Sequence, residues 1–199
     1  MKAMPLGLVF LLVLVALVTP LPAQDLTTQP RIAVLPFGWG SCSFMYPACD
    51  DRAATITNMV EEAFFRLRRY RLVDRRALLA ILQEQGLSAS QLVNPQTAAE
   101  AGRLAGAQLL ITGVVDRMTM DFVMYAFGVQ LYQASVALTA RAVRTEDAEV
   151  VAIARVMKAN RGTPAGGLAT RGLPLFEYTA QQAVDALVQE VDRQLQTRR

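Results

Sequence analysis

GVQLYQASVALTARAVRTEDAEVVAIARVMKA, residues 128–159, decides the fold class. Tyr132, Ala134, Val136, Leu138 and Ala140 alternate with Gln133, Ser135, Thr139 and Arg141. Successive side chains of a strand point to opposite faces, so this period of two describes a half-buried antiparallel strand. Thr145, Glu146, Asp147 and Ala148 make a hairpin turn, and residues 149–159 return as the partner strand. Upstream, QLLITGVV (108–115) reads as another strand. RIAVLPF (31–37) reads as a first strand, stopped by Pro36 and buried on both faces.

Helical spacing fills the intervals. Residues 51–69 place Ile56, Val60, Phe64 and Leu67 on one stripe, with Met59 and Ala63 beside it. YRLV (70–73) is a short strand, and Asp74 or Arg75 opens a second helix that Gly86 ends. Asn94 followed by Pro95 starts a third, with an Asn cap and Pro in the first turn, and Gly106 stops it. Residues 161–174, rich in Gly and Pro, read as a loop, and 177–196 as a terminal helix. The order β-α-β-α-α-β-β-β-α predicts a single α/β domain, a mixed sheet with helices packed against it.

The N-terminus speaks to location. Lys2 is the one charge before Asp25, and an unbroken apolar run occupies residues 6–18 before Thr19, Pro20 and a small residue, Ala23. This is the pattern of a secretory signal peptide cut after Ala23, leaving a 24–199 periplasmic domain. The run, about 13 residues, is shorter than the roughly 20 that cross a bilayer. Leu21 fits the cleavage site poorly, so an uncleaved anchor is the alternative. The chain carries 20 basic and 17 acidic residues. Without Lys2 the balance is 19 to 17, a net +2, too mild to imply a polyanion partner.

There is no histidine. That removes Ser-His and Cys-His nucleophile pairs and the usual histidine-bearing zinc sites. The expectation is a non-enzyme without a cofactor, a metal or nucleic acid. Cys42 and Cys49, the only cysteines, share a Gly- and Ser-rich loop, which in an oxidising compartment reads as a local disulfide; free thiols are the alternative.

Two surface features invite a partner. Trp39, Phe44, Met45 and Tyr46 crowd into that same loop, either buried or forming an adhesive patch. Arg66, Arg68, Arg69, Arg71, Arg75 and Arg76 are a dense basic cluster. One reading is a solvated face with Arg capping helix ends. The other gives Arg68, Arg69 and Arg71 an anionic surface, either lipid headgroups or an acidic partner. Gly38 and Gly40 lack the rest of a dinucleotide fingerprint and read as tight-turn glycines.

RIAVLPF, then RYRLVDRRALLAILQEQGL (69–87), then AGRLAGAQLLITGVV (101–115), resembles the CsgG-like family, of the CsgG/TolB-N type, whose namesake is the curli secretion channel of the outer membrane. The resemblance covers residues 31–159 and rests on Asp74, Arg75, Glu84, Gly106 and Gly113, all read as structural, with Arg75 in an ion pair to Asp74 or Glu84. It implies an α/β domain without catalysis that supports curli-type assembly or transport at the cell envelope, with envelope protein partners, a homo-oligomer, or peripheral contact with the outer membrane. The alternative it implies is a regulatory binding module, such as a cell-wall synthase activator or a flagellar or exopolysaccharide accessory protein. Two family features are missing. No lipidated cysteine follows the leader, and residues 117–131 and 161–174 read as short surface loops or edge hairpins instead of barrel-forming ones.

Overall fold

The computed structural model describes residues 29–40, 49–84, 86, 94–126, 128–166 and 170–197. Strands β1 (Arg31–Val34), β2 (Gly38–Trp39), β3 (Arg71–Leu72), β4 (Leu109–Ala126), β5 (Val129–Arg144) and β6 (Val150–Gly162) form one sheet. Helices α1 (Cys49–Arg66), α2 (Arg75–Glu84), α3 (Pro95–Leu104) and α4 (Leu175–Thr197) flank it. The sheet order is β3-β1-β4-β5-β6, with β2 added to β4. β1 runs parallel to β3 and β4, and β4, β5 and β6 follow as an antiparallel meander. The sheet is therefore mixed, as the alternation predicts, and among the described residues the two-residue β2 is added to it.

Each face of β1 is covered, which is why its residues are apolar without alternation. Ile32 and Val34 join Ile56, Val60 and Phe64 of α1 and Val184, Leu187 and Val191 of α4 in the larger core. Ala33 and Leu35 pack with Leu78 and Leu82 of α2 and Ala98 and Ala101 of α3 in the smaller. Each fully buried Leu or Ile contributes about 1.5–3 kcal/mol. On β5, Ala134, Val136, Leu138 and Ala140 are all buried.

Local signals set the helix ends. Asp74 Oδ1 accepts the Arg76 N–H at 2.8 Å and its carbonyl accepts the Leu78 N–H, so Asp74 caps α2. Asn94 Oδ1 accepts the Gln96 N–H at 2.9 Å at the start of α3. Gly106, at φ +66°, ends that helix in the left-handed conformation and gives its N–H to the Arg103 carbonyl.

The main departure from the sequence reading is the length of β4. The strand expected to stop at Val115 continues to Ala126 and pairs with β5 down to Val129, so of the two readings of residues 117–131, surface loop or edge hairpin, the segment takes the hairpin form, as the distal half of a long one. Irregular pairing between Val115 and Arg117 and between Phe122 and Met124 leaves Asp116 and Val123 as extra residues. Each such bulge reverses the phase of the alternation, which is how the strand escapes a period-two reading.

Candidate functional site

The distal hairpin is where the sheet outruns its cover. β6 ends at the pair Tyr132↔Gly162, while β4 and β5 continue alone through Met124↔Leu131, Tyr125↔Gln130 and Ala126↔Val129. This two-stranded tip is apolar and exposed: Phe122 is 58% accessible, Met124 51% and Tyr125 67%, with Val123 and Val129 also outside. Phe122 and Tyr132 meet edge to face across the strands, ring centres 5.7 Å apart, which stiffens the base of the tip. Tyr132 OH donates to Gln130 Oε1 at 3.0 Å. No charged residue occurs from Phe122 to Ala140, whereas Arg117, Lys158 and Arg161 lie further down the sheet. These aromatic and Met side chains form an exposed apolar projection that the domain's own packing leaves uncovered. The missed signal was this charge-free run containing four aromatic residues before Gln133.

Of the aromatic group in the Gly/Cys loop, Trp39 alone lies among the described residues. Trp39 lies in β2, paired with Val115, and packs against the larger core. Phe44, Met45, Tyr46 and Cys42 fall outside the described residues, and so does the proposed Cys42–Cys49 bond; Cys49 opens α1.

The arginine cluster divides. Arg66 pairs with Asp185 at 2.8 Å and Arg69 with Asp192 at 2.6 Å, both on α4. Tyr70 OH donates to the other Asp192 oxygen at 2.7 Å, so the α1–β3 connection is clamped to the terminal helix. Arg68, at φ 54°, shapes the turn, and its carbonyl accepts from Gln29 Nε2. Arg68 and Arg71 expose their side chains. Arg75 pairs with neither Asp74 nor Glu84: it reaches back to α1, donating to Asn58 Oδ1 at 2.6 Å and lying 3.6 Å from Glu61. Glu84 stays exposed at the end of α2. Burial raises the Glu61 carboxyl above its usual range, Arg75 pulls it down, and Asp74 raises it further.

Glu61, Val73, Asp74, Arg75 and Arg76 line an open hollow of about 360 Å³ beyond the end of β3. Its Glu61–Arg75 pair ties α1 to the start of α2. Gly113 supports packing as well. The Phe37 ring lies over it, in the space a Cβ would fill. Among the described residues no three His, Cys, Asp or Glu side chains group to hold a metal, and no helix is long and apolar enough to cross a membrane.

A mixed sheet between two helical layers, ending in an antiparallel meander, defines the chain as an α/β domain. Lipoprotein GNA1162 from Neisseria meningitidis superposes with a TM-score of 0.52 at 12% identity, over 84% of this chain and 99% of that one. Protein XCC0632 from Xanthomonas campestris, of family DUF330, superposes at 0.51 with 15% identity, over 91% and 94%. At such identities the likeness is one of fold. No curated protein sequence matches. The chain belongs to the CsgG family, described as the curli production assembly/transport component, whose model matches residues 19–195.

Proposed function

We propose that this chain is a non-enzymatic accessory protein of the bacterial envelope, exported by residues 1–23 and supporting assembly or transport at the periplasmic side of the outer membrane. The observation that carries this reading is the exposed apolar tip around Phe122, Met124 and Tyr125. Family membership and the leader-like N-terminus support the setting. The tip docks the domain to its envelope site. It does not span: only three residue pairs extend past β6, against about 9–11 residues per strand in a membrane-crossing barrel. The test is fractionation of cells that express the wild type or a Phe122→Ser/Met124→Ser/Tyr125→Ser variant. The wild type should sediment with outer membranes and the folded variant should move to the soluble periplasm. A variant that sediments like the wild type defeats the reading.

The shortness of that overhang favours one alternative, a regulatory binding module of the same fold that acts on an envelope enzyme without building a ring. Native mass separates the two, since an assembly component forms a homo-oligomer and a module stays monomeric.

A further inference from the structure

β6 is the last strand of the sheet, and among the described residues no strand pairs with its outer side. The antiparallel register shows which of its groups face outward. Ile153 directs both N–H and C=O away from β5, and Gln194 of α4 takes both. In an antiparallel pair residues alternate between bonding inward and bonding outward. Arg155, Met157, Ala159 and Arg161, in phase with Ile153, therefore present their N–H and C=O groups outward as well. The side chains along this edge are accessible, Arg155 at 76% and Met157 at 59%.

Charge decides what such an edge accepts. β6, VVAIARVMKANRG, carries Arg155, Lys158 and Arg161 and no carboxylate. A second copy laid antiparallel along it would bring three cations against three, and like charges on paired strands repel. Basic side chains on an edge are a common device against self-pairing. The same charges attract an acidic strand. Asp116 Oδ2 lies 3.7 Å from Arg155 Nε but leaves that guanidinium largely in solvent. Glu190, on the turn of α4 before Gln194, is already held by Arg193 and Gln194.

We infer that the outer edge of β6 from Arg155 to Arg161 is a strand-addition site for an extended acidic segment of a partner protein. Backbone bonds to Arg155, Met157, Ala159 and Arg161 supply the register, and carboxylates beside Arg155 and Arg161, which share one face of the strand, supply selectivity, with Lys158 adding positive charge on the other face. Gln194 occupies the position before the site and sets where the added strand must stop. The site is separate from the hairpin tip, and its test leaves the tip intact.

The test is amide hydrogen exchange followed by NMR on the labelled protein, with the blocked heptapeptide Thr-Glu-Val-Glu-Val-Glu-Thr and its counterpart with Lys for each Glu as probes. The acidic probe should slow exchange at Arg155, Met157, Ala159 and Arg161 by about tenfold or more, and leave the amides of Val156 and Lys158, already bonded to β5, unchanged. That alternation separates strand pairing from loose electrostatic adhesion. Arg155→Glu/Lys158→Glu/Arg161→Glu should transfer the protection to the lysine probe. Met157→Pro, which removes an outward donor and leaves the β5 ladder in place, should abolish it. Exchange unaltered by the acidic probe overturns the inference. So does protection that grows with protein concentration alone, which would assign the edge to a second copy.

Discussion

Gln194 meets the edge strand at Ile153 with both atoms of its carboxamide. The Ile153 N–H donates to Oε1 at 3.0 Å, and Nε2 donates to the Ile153 carbonyl at 2.9 Å. One side chain of the terminal helix thus imitates one residue of a missing strand. Gln194→Ala should accelerate exchange of the Ile153 amide about tenfold or more and lower global stability by no more than about 1 kcal/mol, because water replaces the lost partner. An Ile153 amide that exchanges at its original rate would show that the contact is not populated in solution.

Asp192 should matter more than its partner Arg69. It is buried and accepts from both Arg69 and the Tyr70 hydroxyl. Asp192→Ala removes the carboxylate that the Arg69 guanidinium and the Tyr70 hydroxyl share and should cost about 2–3 kcal/mol. Arg69→Ala removes a guanidinium that is half in solvent and should cost about 1 kcal/mol or less. Urea denaturation of the two variants checks the order, and equal losses would contradict it.

Gly113→Ala should displace the Phe37 ring, which occupies the space of the new methyl group. Overpacking of this kind costs about 1–3 kcal/mol. Combining it with Phe37→Leu should recover part of the loss, since the smaller side chain leaves room. Strictly additive losses in a double-mutant cycle would argue against the contact.

Glu61 gives the stability a pH dependence of definite sign. Burial, the largest influence, raises its carboxyl above the ordinary 4.5. The folded state therefore holds this proton more tightly than the unfolded chain. Its stabilising contribution is complete below the unfolded value and is lost as pH rises through the folded one. Relative to Glu61→Gln, the wild type should weaken as pH increases from 4.5 upward and then level off. Arg75→Ala should extend that window upward, because Arg75 is the group that pulls the carboxyl down. Parallel pH curves for wild type and Glu61→Gln would refute the assignment.

What the sequence determined by itself was whatever depends on near neighbours. Asn94 and Asp74 are legible as caps, and Gly106 as a stop, because each acts within one turn of backbone. The alternation from Tyr132 to Ala140 is legible because Ala134, Val136, Leu138 and Ala140 share one buried face, although Ser135 and Ala137 on the other face are buried as well. The absence of histidine narrows the chemistry with no structure at all. What only the tertiary structure decided depends on partners distant in the chain. Arg69 meets Asp192 across 123 residues, and Arg75 turns to Glu61 and not to adjacent Asp74. Trp39 is drawn onto β4 as a strand, a pairing that no local pattern around it announces. β4 crosses two bulges that scramble its period, so the hairpin and its apolar tip emerge only once β5 is laid beside it. Local propensity acts over a few residues, whereas register, edge exposure and ion pairing belong to the assembled sheet.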